Sequence, residues 1–282
     1  MAQRLFLREG ALAGFVSSNQ PVQVEIDGAD HNHLARVMRA RPGDTLVLLD
    51  NNGGAFQAKI ETIGKSTTLV SVLEQADLGA FAPEPIVTIV VAQALGKGDK
   101  LEQVIQHGAE AGASAFAPIV AERCVVEFPA PGSPRAMEKL ARWNAIAKGA
   151  AEQSCLLKVP AVEEPVKAAE LFTRAESGDT LRLLLQPELT GVTVPLHKAL
   201  SIGTGAETVR PTKIKIVIAV GPEGGWSPRE QAIGAQAGWT AVSLGPRVLR
   251  TETAALVAIS QIIYHFESLT LMAACPSGQP IK

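Results

Sequence analysis

The chain beyond residue 86 alternates between continuous apolar runs and helical stretches, and this alternation constrains the fold more than any other feature of the sequence. The apolar runs are IVTIVVAQAL, SAFAPIV, LRLLLQ, IKIVIAV and TAVSLG. Strands that are apolar throughout are typical of parallel sheets covered by helices on both faces. The sequence therefore predicts an α/β domain with a mostly parallel sheet.

Two of the helical stretches carry start signals. DKLEQVIQHGAEAG offers Asp99 as an N-cap with Glu102 three positions on. SPRAMEKLARWNAIAKGAAEQS offers Ser133 as an N-cap and Pro134 at the first helical position. Because these residue types satisfy or avoid the free N–H groups of a first turn, we predict that helices begin here.

The first part of the chain has a different pattern. Short runs with partial alternation (PVQVEID, DTLVLLD and AFQAKIETI) are separated by turn signals such as NNGG, which predicts a small β-rich domain over residues 1–75. The proline-containing stretch QADLGAFAPEP breaks the pattern and predicts a linker at residues 76–85. The α/β domain then spans residues 86–272, and residues 273–282 form a flexible tail. Two domains agree with a length of 282 residues.

Charge is balanced over the whole chain, with 26 basic and 28 acidic residues. Contact with a nucleic acid would therefore need a local basic patch. HNHLARVMRARPGD supplies one: His33, Arg36 and Arg39 recur at three-residue spacing on one face of a short helix, and Arg41 follows. Two interpretations stay open, a solvated helix face and a surface that contacts phosphates.

Cysteine usage and apolar run lengths indicate the compartment. The three cysteines have no CxxC spacing, so they show no metal-binding pattern. Their odd number argues against a disulfide framework. Arg8 and Glu9 interrupt the apolar start, so it does not resemble a signal peptide. No apolar run approaches the length of a membrane span. We predict a cytoplasmic protein with no metal and no membrane partner.

The loop GPEGGWSPRE follows the run IKIVIAV directly. Ser227, Pro228 and Glu230 read as N-cap, first helical residue and capping-box partner, so a helix should begin just after the glycines. Glycine lets a ligand approach the backbone closely. Since ligands of open α/β sheets bind beyond the carboxyl ends of the strands, this loop is a candidate binding loop.

The acid in this loop restricts the ligand. Glu223 would oppose a phosphate, and the chain contains no GxxxxGK[ST] motif. The dinucleotide fingerprint fails as well, because Leu101 stands where the third glycine after Gly96 and Gly98 is required. An adenosyl ligand that is cationic or zwitterionic and lacks phosphates suits the loop better.

A second glycine-proline loop, LGPRVLRTETAAL, follows the next strand, and Thr251 or Thr253 can cap the apolar helix behind it. Two adjacent strands that end in such loops are expected to form opposite walls of one pocket. Arg247 and Arg250 are either ion-pair partners of the nearby glutamates or cations that face a substrate.

Together, GPEGGWSPRE and LGPRVLRTETAAL closely resemble the signature of the RsmE family of SPOUT-class methyltransferases, which modify N3 of a uridine in bacterial 16S ribosomal RNA. The resemblance extends over nearly the whole chain, through RLFL, HLARVMRARPGDTLVLLD, KGDKLEQVIQHGAEAGASAFAPIVAERCVV, RWNAIAKGAAEQS and LLLQPE. After AAEQS the chain departs from the family, since Cys155 and Leu156 replace the usual glycine and arginine.

The resemblance implies a fold, a cofactor and partners. It implies a trefoil-knotted α/β SPOUT domain preceded by a small PUA-like β-barrel, S-adenosylmethionine (SAM) bound in the knot, a homodimer, and 16S rRNA of the small ribosomal subunit as the substrate. A related methyltransferase with another RNA target is the nearest alternative. A non-catalytic RNA-binding assembly factor is an alternative from a different class, and SAM binding would separate the two.

The resemblance, the chemistry of the reaction and the local basic clusters together give the expected site residues. The expected cofactor-binding residues are Leu185, Gly221, Pro222, Glu223, Gly224, Gly225, Leu244, Gly245, Pro246, Val248, Leu249 and Thr253. Arg250 is expected to stabilise a uracil anion, and Glu252, with Glu223 as the alternative, to accept the proton. The expected RNA-binding residues are Arg4, His33, Arg36, Arg39 and Arg41 in the β-rich domain, and Lys97, Lys100 and Arg123 in the α/β domain.

Overall fold

The computed structural model describes residues 3–8, 11–12, 22–81, 87–175, 180–187, 193–203 and 214–274. The chain forms two compact units. The first comprises Met1–Glu84 and Ala151–Val159, and the second comprises Pro85–Ala150 and Pro160–Lys282. The return of the chain to the first unit at Ala151–Val159 has no counterpart in the sequence pattern.

The first unit is built on a five-stranded sheet in the order β1-β3-β4-β5-β2. Its strands are β1 (Gln3–Phe6), β2 (Gln23–Asp27), β3 (Thr45–Leu49), β4 (Ala55–Ile63) and β5 (Thr67–Gln75). The three predicted runs form β2, β3 and β4, while β5 was not predicted. Strand β1 pairs in parallel with β3, and the other pairs are antiparallel.

The basic segment of this unit is only partly an ordinary helix. Helix α1 (Gly28–Asn32) continues into a π-helical turn at His33–Val37. Buried Leu34 anchors the turn, and Nδ1 of buried His31 lies 2.9 Å from the Thr68 hydroxyl. Arg39 lies beyond the turn with a left-handed φ of 52°. The prediction that His33, Arg36 and Arg39 share one face of a helix is therefore wrong. Neither a π turn nor a left-handed residue keeps the side-chain spacing of an α-helix.

Residues 151–159 pack onto the first unit through apolar side chains. Cys155 and Leu156 are partly buried against a cluster that includes Phe6 and Phe81. Oε1 of Glu152 accepts a hydrogen bond from the backbone N–H of Phe6 at 3.0 Å. The cysteine and leucine that depart from the family pattern thus contribute to packing at this position.

The second unit contains a seven-stranded sheet in the order β12-β14-β11-β13-β6-β7-β9, in which all neighbouring strands are parallel. Its strands are β6 (Val87–Gln93), β7 (Ala115–Phe116), β9 (Ala161–Val162), β11 (Thr180–Leu185), β12 (Val194–Pro195), β13 (Ile214–Val220) and β14 (Thr240–Ser243). Strands β8 (Ile119–Val120) and β10 (Val166–Lys167) form a separate parallel pair. The predicted parallel α/β domain is confirmed.

The helices of this unit are α2 (Lys100–Glu110), α3 (Pro134–Gln153), α4 (Ala168–Thr173), α5 (Leu196–Gly203), α6 (Pro228–Gln236) and α7 (Thr251–Ala274). The hydroxyl of Ser133 accepts a hydrogen bond from the Ala136 N–H at 3.3 Å, which confirms the predicted start of α3. Asp99 precedes α2 but its side chain makes no capping bond. Asp99 is the N-cap residue, as predicted, but its backbone, at φ −99° and ψ 14°, is not in the extended conformation from which a side chain usually caps a helix.

Helices cover both faces of the sheet. Val90 and Val217 pack with Phe172 of α4 and the neighbouring Trp239, whereas α7 packs with α2 and buries Ile259 and Ile262. No helix among the described residues is long and apolar enough to span a membrane. The trefoil knot implied by the resemblance stays a prediction.

Candidate functional site

A cavity of about 540 Å³ opens at the carboxyl ends of β11, β13 and β14. This size lies within the range of small-molecule sites. Its wall is formed by residues of the loops that follow these three strands, together with the start of α7. The two glycine-proline loops therefore line one cavity, as their position in the sequence predicts.

The glycine loop, residues 221–226, leads into a firmly fixed helix start. The Ser227 hydroxyl accepts from the Glu230 N–H at 3.1 Å, and Glu230 Oε2 accepts from the Ser227 N–H at 2.9 Å, so the predicted capping box is confirmed. The other oxygen of buried Glu230 accepts from the Glu122 N–H at 2.8 Å. One glutamate thus holds both the helix start and the loop that follows β8.

Backbone conformation explains two of the glycines. Gly225 and Gly245 have φ values of +69° and +113°, a region that side chains disfavour. Gly221 is required for a different reason, since a Cβ there would lie 3.0 Å from Cε2 of Trp226. Buried Trp226 donates from Nε1 to the Leu185 carbonyl at 3.0 Å and forms part of the cavity wall.

Lys100 forms ion pairs with Glu223 and Glu252. Its Nζ lies 2.8 Å from Glu223 Oε1 and 3.5 Å from Glu252 Oε2. The hydrogen bond from Lys100 lowers the pKa of Glu223, and the same bond raises the pKa of Lys100. Arg247 and Arg250 are exposed, line the cavity, and form no ion pair within the described part of the chain. Of the two interpretations of Arg247 and Arg250, the structure therefore favours cations that face the cavity or solvent over ion-pair partners of the glutamates.

A buried polar pair lies beside the start of α7. Gln93, the last residue of β6, donates from Nε2 to the Thr251 hydroxyl at 2.7 Å. Within the described residues, Gln93 Oε1 is buried without a hydrogen-bond partner, and buried Glu252 Oε2 has only its 3.5 Å ion contact with Lys100. The glutamine was missed by the sequence analysis, although a polar residue that ends an apolar run was an available signal.

Most of the predicted cofactor residues line the cavity. They are Leu185, Gly221, Pro222, Glu223, Gly225, Leu244, Gly245, Val248 and Leu249, with Arg250 beside them. The lining does not include Gly224, Pro246, Thr253 or Glu252. It adds residues that were not predicted as cofactor ligands, namely Lys100, Arg123, Gln186, Pro187, Val220, Trp226, Gln231, Arg247, Thr251 and Ala254.

The predicted RNA-binding residues fall into separate groups. His33, Arg36, Arg39 and Arg41 are all exposed in the basic segment of the first unit, whereas Arg4 is partly buried and donates to the Glu152 carbonyl at 3.4 Å. In the second unit Lys97 is exposed. Lys100 and Arg123 line the cavity, and Arg123 donates to the Gly224 carbonyl at 3.0 Å.

Comparison with known proteins agrees with this architecture. Residues 82–263 match the model of an RNA methyltransferase domain, and residues 26–73 match that of an RNA methyltransferase PUA domain. The chain is 33% identical over 245 residues to the ribosomal RNA small subunit methyltransferase E of Bacillus subtilis, an alignment that covers 86% of this chain and 91% of that protein.

Solved structures are similar over nearly the full length. The ribosomal RNA small subunit methyltransferase E of Neisseria gonorrhoeae, bound to S-adenosyl methionine, has a TM-score of 0.75 and 28% identity and covers 93% of this chain and 97% of its own. A putative methyltransferase from Legionella pneumophila in complex with SAM has a TM-score of 0.75 and 26% identity, with 94% and 97% covered. The chain therefore belongs to the ribosomal RNA small subunit methyltransferase E family, the RsmE family of SPOUT methyltransferases, and joins a PUA domain to an RNA methyltransferase domain.

Proposed function

We propose that this rRNA methyltransferase transfers the methyl group of SAM to N3 of a uridine in 16S rRNA. The observation that carries the proposal is the cavity itself, in which a glycine loop faces two arginines that have no ion pair in the described residues. N3 of uridine lies between two carbonyl groups, and the base becomes anionic when this nitrogen loses its proton. Free cations at the cavity suit such a base.

The cavity also fits the cofactor. SAM has a sulfonium, a zwitterionic amino acid and an adenosine but no phosphate. Glu223 supplies negative charge, Leu185, Val220 and Leu249 supply apolar surface, and Gly225 leaves the backbone open. Lys100 is paired with two carboxylates and so is not available to hold a phosphate. When bound, SAM supplies an activated methyl group, and the protein supplies orientation and electrostatics.

Two side chains are assigned to the chemistry of the base. Arg250 lines the cavity and stabilises the negative charge that develops on the uracil oxygens. Glu252 accepts the N3 proton, because its Oε2 has only a long ion contact with Lys100 at 3.5 Å, whereas Glu223 Oε1 is hydrogen-bonded by Lys100 at 2.8 Å. Glu252 lies behind the cavity wall, so one bridging water completes the path from the base.

The first unit holds the RNA. His33, Arg36, Arg39 and Arg41 form an exposed basic segment in a chain with no overall basic excess, and local cations of this kind bind phosphates. The aromatic content of 4% favours phosphate contacts over a stacking platform. We place the action of the protein in the cytoplasm, where the small ribosomal subunit is its substrate.

A homodimer is part of the proposal. Helix α7 buries Ala255, Ile259 and Phe266 within its own unit but leaves Tyr264 75% exposed, and an apolar helix of this kind needs cover over the rest of its circumference. Light scattering at micromolar concentration is expected to give the mass of two chains. A monomer at that concentration would refute the homodimer.

The decisive experiment compares rRNA nucleosides by mass spectrometry from cells with and without the protein. We expect 3-methyluridine in 16S rRNA to disappear in its absence, and to return when purified protein and SAM are added to small subunits. Parallel reactions on naked 16S rRNA identify the form of the substrate. An unchanged nucleoside profile would refute the proposal. Loss of a different methylated nucleoside would show that the protein methylates another RNA target.

A further inference from the structure

Lys100 joins three segments of the second unit. It is the first residue of α2, and its ammonium reaches Glu223 in the glycine loop and Glu252 in the first turn of α7. The side chains of Lys100, Glu223 and Glu252 are 27%, 38% and 15% exposed, respectively. The three charged side chains therefore form a partly buried cluster at the cavity. An ion pair in such a place is stronger than one on an open surface, because less water surrounds it.

Lys100 and its neighbour Lys97 differ in how they act on Glu223. Lys97 is exposed and acts on Glu223 only through its charge, whereas Lys100 donates a hydrogen bond to Glu223 at 2.8 Å. One lysine between two carboxylates also leaves the cluster with a net negative charge. The Lys100 ammonium is already occupied by both carboxylates, so the geometry does not support a direct RNA contact by Lys100.

Gly96 leaves the space that this ion pair occupies. A Cβ at this position would lie 3.1 Å from Cδ of Lys100 and 3.3 Å from Oε1 of Glu223. Both distances are tighter than ordinary contacts, so an alanine would press on the lysine stem and the carboxylate together. The ion pair can thus be disturbed sterically, without removing either charge.

We infer that Lys100 is a positioning residue, which holds the carboxylates of Glu223 and Glu252 and so keeps the glycine loop and the first turn of α7 together around the cavity. The inference rests on the proposed function and assigns Lys100 to cofactor binding instead of RNA binding. Its direct consequence is energetic coupling between Lys100 and Glu223 in SAM affinity. The weaker contact at 3.5 Å predicts a smaller coupling with Glu252.

A double-mutant cycle tests this coupling by calorimetry with SAM on the full-length protein. We expect Lys100→Met to weaken SAM binding about tenfold and Glu223→Gln to weaken it by a similar factor, with the double variant no weaker than either one by more than about twofold. Lys100→Arg keeps the cation and should recover most of the affinity. Lys198→Met, which removes an exposed lysine on α5, is the charge-matched control.

The pH dependence of SAM binding gives an independent measurement. The hydrogen bond from Lys100 lowers the pKa of Glu223 most, a backbone hydrogen bond and the charge of Lys97 lower it further, and desolvation by burial opposes them. Glu252 is the other carboxylate that faces Lys100. In Lys100→Met the pKa of Glu223 rises toward its ordinary range, so Glu223 is protonated at a higher pH. The acid limb of the affinity profile should therefore move to higher pH, and Glu223→Gln should remove that shift.

The outcomes distinguish this inference from the proposed function. If the wild-type protein binds SAM but does not methylate rRNA, the proposed function fails while the coupling is still measured. If the wild-type protein methylates rRNA but the effects of Lys100→Met and Glu223→Gln add, the inference is wrong. If Lys100→Met weakens RNA binding and leaves SAM affinity unchanged, the inference is also wrong, and Lys100 is an RNA-binding residue. Should Lys100→Met fail to fold, Gly96→Ala supplies the test, because unchanged SAM affinity in this variant refutes the inference.

Discussion

The two loops that line the cavity are held in different ways. The glycine loop is fixed from several directions, by the Ser227–Glu230 capping box, by Arg123 at the Gly224 carbonyl and by Lys100 at Glu223. In the arginine loop, residues 244–250, no side-chain hydrogen bond or ion pair is found in the structure as described, and Val248 is 70% exposed. The comparison indicates one preorganised wall, held by several side-chain contacts, and one adaptable wall, whose exposed arginines are free to adjust to a ligand.

Gly225→Val tests the preorganised wall and should have the largest effect. A valine is strained at a φ of +69°, and its side chain obstructs a backbone that lines the cavity. We expect SAM affinity to fall by about a hundredfold or more in calorimetry. Gly149→Ala, in α3 with open space around its Cβ, is the matched control and should bind normally. A folded Gly225→Val protein with wild-type affinity would exclude this loop from the cofactor site.

Arg250→Ala tests the adaptable wall. If Arg250 stabilises the uracil anion, its loss lowers the single-turnover methylation rate by about a hundredfold, and SAM and RNA affinities change by less than about threefold. Arg247→Ala, in the same loop, is the matched comparison and should reduce the rate less. Equal losses of RNA affinity and rate would instead show that Arg250 only helps to hold the RNA.

The basic segment of the first unit provides a reference outside both walls. Replacing Arg36 and Arg39 by alanine should weaken RNA binding about tenfold and reduce the slope of log affinity against log salt by about 1.5, because two phosphate contacts are lost. SAM affinity should stay unchanged. Filter binding over a salt series measures both quantities. A double variant with the wild-type slope would restore the interpretation of this segment as a solvated face and direct attention to Lys97 and Arg123.

Trp226→Phe should give the smallest effect. It removes the N–H that donates to the Leu185 carbonyl at 3.0 Å and should cost about 1 kcal/mol of unfolding free energy with a few-fold loss of SAM affinity. Trp239→Phe is the matched control, because Trp239 donates in the same way to the Phe172 carbonyl at 3.1 Å but does not line the cavity. Denaturant unfolding and calorimetry on both variants separate stability from binding. Equal SAM affinities for the two variants would contradict a role of Trp226 in positioning the wall.

Sequence patterns were reliable wherever neighbours along the chain decide the outcome. The run IKIVIAV coincides with β13, and Ser227, Pro228 and Glu230 form the predicted capping box, because apolar runs and free N–H groups are local features. Asp99 occupies the predicted N-cap position but makes no capping hydrogen bond, because that bond depends on its backbone angles and not on residue type alone. The helical face of His33, Arg36 and Arg39 was lost to a π turn for a similar reason.

By itself, the sequence determined the kind of fold, the position of the two loops that line the cavity and the family. The tertiary structure alone decided which side chains meet in the site. Lys100 and Glu223 are 123 residues apart, and Gln93 and Thr251 are 158 apart. These pairs form because the sheet order places β13 beside β6 and brings the start of α7 next to both. Periodicity reports whether a segment is a strand or a helix but not which strands are neighbours, so contacts over long separations can be known only once the strands are paired.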